Sequence, residues 1–173
     1  MKRVLPIVIA LVVAVTSTGC YLNEPVATNE VAAQRDGGRI TGCIGPGVYT
    51  DLGLFSDLAP VSSNALTLVV GDKEVATKDT QLVGIDITVQ AKRKTDCDSV
   101  RNLLTNWSQL SHDDNQLQET LSYITAQGIK VAVRNFTLEE LLDDRDALAQ
   151  AIRKDLVTEA GKFSVDVLSR LGP

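Results

Sequence analysis

With 173 residues, 44% of them hydrophobic and 23% charged, the chain can fold one domain around a modest core and is not disordered throughout. Aromatic residues supply only 4%, so the core must be aliphatic, and a row of stacking platforms for single-stranded nucleic acid is excluded. The formal charge is −5; losing Lys2 and Arg3 with a leader leaves 15 basic against 22 acidic residues, or −7, a body that phosphate backbones and anionic lipid repel, which disfavours nucleic acid as a partner.

Met1–Gly19 opens on Lys2 and Arg3, runs apolar from Val4 to Val15 and ends on Thr16-Ser17-Thr18-Gly19 before Cys20. That is the pattern of a secretory signal segment. The apolar run, about twelve residues, falls short of the roughly 20 that a helix needs to span a bilayer. Small residues directly before a cysteine are similar to a bacterial lipobox, with Ser17 where that motif carries a leucine-like residue. The similarity implies cleavage after Gly19 and diacylglycerol on the Cys20 sulfur. At about 0.8 kcal/mol per buried CH₂, two or three acyl chains hold where one is marginal. The alternative is an ordinary signal peptide cut elsewhere, with Cys20 a bystander.

Tyr21–Gly37 has no periodicity and carries Asn, Thr, Pro, Gln and Ala, so residues 20–37 read as a lipidated flexible tether. Arg39–Cys43 predicts a short strand and Gly45–Asp57 a Gly/Pro-rich loop. Val61–Val70 predicts a strand around Leu66, Leu68 and Val70, and Gly71-Asp72-Lys73 a turn. Thr80–Lys92 is the strongest strand: Val83, Ile85, Ile87, Val89 and Ala91 share one face, while Gln81, Asp86, Thr88, Gln90 and Lys92 fall mostly on the other. One wet face implies an antiparallel sheet. Ser99–Trp107 and Asn115–Gln127 predict helices, with apolar stripes Val100, Leu103, Leu104, Trp107 and Leu117, Leu121, Ile124. His112-Asp113-Asp114 is a polar linker between them.

Lys130–Arg134 alternates and is β-branched, predicting a strand. Thr137 followed by Glu140 is a capping box: the hydroxyl accepts from the Glu140 N–H and the carboxylate from the Thr137 N–H. Leu141 and Leu142 begin an apolar stripe that Leu148, Ile152 and Leu156 continue. Gly161 closes the helix, and Phe163, Val165 and Val167 alternate as a final strand.

This strand, capped helix, strand unit resembles the end of the SPFH domain, also called Band 7 or prohibitin-homology domain, of stomatins, flotillins and prohibitins. The residues that carry the resemblance are Val133-Arg134, Phe136-Thr137-Leu138-Glu139-Glu140-Leu141-Leu142, Arg145, Ile152 and Leu156. Upstream, Gly45-Pro46-Gly47-Val48-Tyr49 looks like the family's Pro-Gly turn, and Val75-Ala76-Thr77-Lys78-Asp79-Thr80-Gln81 is similar to its central segment. The resemblance spans Gly38–Leu168 and places an SPFH domain at residues 38–173. It implies an α+β fold: a twisted, mainly antiparallel sheet with flanking helices, preceded here by a lipoprotein signal segment. Members of the family commonly continue into a long coiled coil, which does not follow within this sequence.

Candidate chemistry is sparse. His112, the only histidine, stands beside Asp113 and Asp114, but loop neighbours do not converge on a metal without a second set of ligands, and the segment reads as a solvated loop. Ser111 beside His112 is adjacency and not a triad. Glu139, Glu140, Asp143, Asp144 and Asp146 form the densest acidic cluster. Paired carboxylates can hydrolyse glycosides, yet acidic residues also favour a helix's first turns, and Arg145 and Arg153 supply counter-charges. Gly45-Pro46-Gly47 lacks the Lys-Ser/Thr of a phosphate loop. Asn106-Trp107-Ser108 and Asn135-Phe136-Thr137 match the glycosylation sequon, which a bacterial lipobox makes irrelevant. Cys43 and Cys97 form either a disulfide or two free thiols, and spacing does not choose between them.

No catalytic, cofactor or metal residues emerge; the one site residue is Cys20, for lipid attachment. The resemblance and the anchor together predict a non-enzymatic, lipid-anchored envelope protein facing the periplasm or exterior. It would organise membrane patches by self-association, with membrane proteins or proteases as further partners. The outer face of the last helix, with Arg153, Lys154, Asp155 and Glu159, is the candidate contact. The alternative is a monomeric envelope module that binds a peptide or protein.

Overall fold

The computed structural model describes residues 24–50 and 56–168. The leader, Cys20 and the centre of the predicted Gly45–Asp57 loop lie outside the described residues.

The chain opens with strands β1 (Glu24–Val26), β2 (Glu30–Asp36), β3 (Arg39–Ile44), β4 (Gly47–Tyr49) and β5 (Ser56–Ser62). Two long strands follow, β6 (Ala65–Ala76) and β7 (Leu82–Arg93). Helices α1 (Cys97–Asn106), α2 (Ser108–His112), α3 (Asp114–Val133), α4 (Leu138–Asp143) and α5 (Arg145–Lys162) come next, and β8 (Val165–Leu168) ends the described chain. The fold is α+β, and every strand pairing is antiparallel. The strands divide into three small sheets, ordered β1-β4, β3-β2-β5 and β6-β7-β8.

The main core lies between one face of β6-β7-β8 and the helices α3 and α5. Leu68, Val70, Val89, Ala91 and Val165 from the sheet meet Leu117, Leu121, Ile129 and Val133 of α3 and Ile152, Leu156 and Ala160 of α5. Val83, Ile85 and Ile87, the rest of the predicted face of β7, pack against it partly buried. A second, smaller core joins Ala33, Ala59 and Val61 of the β3-β2-β5 sheet to Val100 and Leu103 of α1 and Leu110 of α2. Phe163 packs against both cores.

Several expectations change. The predicted tether at residues 20–37 contains β1 and β2, and β2 is the central strand of its sheet. Ala32 and Ala33 are both fully buried, so adjacent residues are covered on opposite faces and no polar alternation is left to mark the strand. Lys130–Arg134 is the end of α3 and not a strand. Ala132 and Val133 are both buried while Val131 is exposed, a helical distribution that a pleat cannot produce. The strand predicted at Val61–Val70 is broken at Ser63-Asn64, with β5 before it and β6 after. Gly71-Asp72-Lys73 is not a turn: β6 runs through it, with the register against β7 shifting between Asp72 and Val75. That bulge absorbs the residues that looked like a chain reversal. The capped helix is two helices, because Asp144 caps α5 by accepting from the Ala147 N–H at 2.9 Å. Gly161 lies inside α5, and the reversal into β8 is made by Ser164 at φ 56°.

Candidate functional site

Two of the sequence segments that carry the family resemblance meet in space. The hairpin between β6 and β7 is closed by Thr77, whose N–H donates to the Gln81 carbonyl at 2.9 Å and whose hydroxyl accepts from the Gln81 N–H at 3.0 Å. Thr80 takes the left-handed conformation at φ 63°, the cost of so tight a reversal. The Lys78 N–H then donates to the Phe136 carbonyl at 2.8 Å, and the Asp79 carboxylate accepts from the Leu138 N–H at 3.2 Å. The hairpin tip is thus bonded to the start of α4.

At that start the capping box is formed as predicted. The Thr137 N–H donates to Glu140 Oε2 at 2.8 Å, and the Glu140 N–H to Thr137 Oγ1 at 3.3 Å. The backbone bond from Thr137 holds the Glu140 carboxyl below its ordinary range, and the Thr77 hydroxyl does the same for Asp79. Both carboxylates are spent on local structure and ionised at neutral pH. Asp144 is occupied in its own cap, so the acidic cluster is a set of helix-terminal groups and not an acid–base pair.

The other polar candidates are equally occupied. Ser111 is buried, with its hydroxyl donating to the Ser108 carbonyl at 2.6 Å, while His112 faces solvent. Asp113 caps α3, accepting from the N–H groups of Asn115 and Gln116. Asp114 pairs with Arg93 at 2.6 Å. The Arg93 side chain is fully buried, and its Nε donates to the Leu110 carbonyl at 2.7 Å. Position 93 continues the inward series of Val89 and Ala91, so a charged residue in phase with the apolar face was the available sign of a buried guanidinium that needs partners. Among the described residues no group of His, Cys, Asp and Glu is arranged to hold a metal ion.

Cys43 of β3 and Cys97 of α1 are joined as a disulfide, with Cα atoms 5.5 Å apart, which chooses between the two alternatives left by their spacing. The bond staples the β3-β2-β5 sheet to the first helix beside the smaller core.

The predicted contact face on α5 is solvated at Arg153, Lys154 and Asp155 and half-buried at Glu159. Next to it, a groove of about 450 Å³ runs between α3 and α5, with Tyr123 and Val131 on one side and Asp155 and Glu159 on the other. Tyr123 is 68% and Val131 54% exposed, so both present apolar surface to solvent beside the groove. No helix of the described residues is long and apolar enough to cross a membrane.

A family model described as SPFH domain / Band 7 family matches residues 25–171, starting ahead of the predicted boundary at Gly38 and taking in β2. No curated protein matches the chain. With the matched span taking in every described helix and strand but the first residue of β1, the chain belongs to the SPFH domain / Band 7 family.

Proposed function

We propose that this protein is a lipid-anchored SPFH scaffold of the bacterial cell envelope, held by acyl chains on Cys20 and organising membrane patches or partner proteins by self-association. The family is membrane-associated, of scaffold type and generally non-enzymatic. The observation that carries the reading to this chain is the placement of an SPFH domain directly after an apolar leader that ends in Thr18-Gly19-Cys20. The disulfide supports an oxidising compartment. The exposed α5 face and the neighbouring Tyr123 and Val131 supply a mixed polar and apolar surface for contact between copies. Such a contact is weak in dilute solution and fills when the anchor raises the local concentration on a membrane.

Two measurements test it. Cys20→Ser should move the protein from the membrane to the soluble fraction; retention of the variant on membranes refutes the anchor. Crosslinking of the acylated protein on liposomes should give oligomers that the soluble variant does not form. Monomers at high surface density refute the scaffold and favour a monomeric binding module.

A further inference from the structure

Where α1 passes into α2, the chain forms one wall of a cleft of about 430 Å³; Gln116 and Thr120 of α3 and Phe163 form the other. Trp107, the one tryptophan of the sequence, lines this cleft and is 39% exposed. Its ring packs against Phe163 with centroids 4.6 Å apart and planes at 68°, so the indole is held in place before any ligand arrives. Prior ordering of that kind removes part of the entropy cost of binding.

The rest of the lining is amide and hydroxyl: Asn106, Gln109, Gln116, Ser108 and Thr120 accompany the aromatic pair and Leu110. None of these side chains is charged, although charged residues make up 23% of the sequence. Asn106 donates to Asn102 Oδ1 at 2.7 Å, which fixes its amide, and Asn102 in turn donates to the Ser164 hydroxyl at 2.9 Å. Among the described residues the side-chain amides of Gln109 and Gln116 make no hydrogen bond, so a ligand need displace only water from them. Each amide offers one acceptor and two donor hydrogens.

An exposed indole ringed by neutral donors and acceptors matches a pyranose. Its C–H bonds lie against the electron-rich face of the ring, and its hydroxyls exchange water for amide hydrogen bonds. A phosphate or carboxylate finds no cation in the lining, and an apolar peptide side chain would strand the amides without partners. We propose that this cleft binds a neutral saccharide, with one sugar ring stacked on Trp107 and its hydroxyls or acetamido group held by Gln109 and Gln116.

The test uses the full chain in a polyoxyethylene-ether detergent, since sugar-headed detergents would compete. Because the sequence has one tryptophan, its emission reports the cleft directly. Separate titrations with chitotriose and maltotriose distinguish an acetamido sugar from a plain hexose. A saturable emission change is expected with at least one, half-complete between about 0.1 and 5 mM. Joint Gln109→Ala and Gln116→Ala substitution, at exposed positions outside both cores, should raise that midpoint about tenfold or more while leaving the circular dichroism unchanged. No saturable change with either trisaccharide up to about 20 mM, or a change that survives the double substitution unaltered, overturns the proposal. Neither outcome bears on the liposome crosslinking that tests the scaffold.

Discussion

The disulfide lends itself to a quantitative test, because its contribution follows from where it sits along the chain. Cys43 and Cys97 are separated by 54 positions. In the chain-entropy account, a crosslink that closes a loop of that size restricts the unfolded ensemble by about 14 cal/mol/K, worth about 4 kcal/mol at room temperature. For a domain of this length, with a urea slope of about 2 kcal/mol/M, the midpoint should fall by about 2 M when the bond is lost. The assay is equilibrium urea unfolding in a Cys20→Ser background, comparing Cys43→Ala, Cys97→Ala and the double variant with their parent. Substitution avoids adding a reductant, which would break two-state behaviour. Any one substitution removes the whole crosslink, so all three variants should lose nearly the same stability. Independent thiols would instead give small losses that add in the double variant. Additive losses below about 1 kcal/mol each would refute the bond.

Three further outcomes follow from the hydrogen-bond geometry. Thr137→Ala should cost about 1 kcal/mol in the same titration, through loss of the cap of α4, and an unchanged midpoint would mean that the cap is replaced by solvent. Arg93→Met should cost about 2–4 kcal/mol, since it leaves the Leu110 carbonyl without its donor, whereas Asp114→Asn should cost under about 1, because the amide oxygen still accepts and that side chain is 46% exposed; equal losses would refute the assignment. Asp72, Asp79, Asp96 and Glu140 all have lowered pKa values in the fold, chiefly from the Glu74 N–H, the Thr77 hydroxyl, the Ser99 N–H and the Thr137 N–H respectively. Their contribution is fully present above the ordinary carboxylate range and is lost as pH falls through and below it, so acid unfolding followed by circular dichroism should flatten in Glu140→Gln.

The sequence revealed the elements whose pattern is local. The capping box needs two side chains three positions apart, and the strand over β7 needs only alternation across one wet face. The disguised elements are those whose burial breaks the expected period. β2 is the central strand of its sheet and buries adjacent residues, and its small Ala32 and Ala33 carry none of the branched side chains that signal a strand. At the end of α3, Val131 and Val133 imitate a strand, and only the burial of Ile129, Ala132 and Val133 together restores the helical phase. The bulge in β6 hides a strand behind turn-forming residues for the same reason: the register against β7 is a tertiary fact. Trp107 falls in phase with the apolar stripe of α1, and what exposes the indole is the break between two helices, which no periodicity announces.

The staple between β3 and α1 also sets how the molecule responds to a pull. Strands β4, β5, β6 and β7 lie wholly inside the loop that Cys43 and Cys97 close. Fully drawn out, a loop of this size would lengthen the chain by roughly 180 Å at about 3.4 Å per residue. With the bond intact, tension applied between the two ends of the domain bypasses that stretch through a covalent link, and those four strands add nothing to the extension. Load entering at the amino end meets β1, paired with β4, and then β2, which is bonded on both sides, so three ladders must break before the crosslink is reached. A domain wired this way gives up less length under force than its residue count allows, because residues 44–96 stay behind the crosslink.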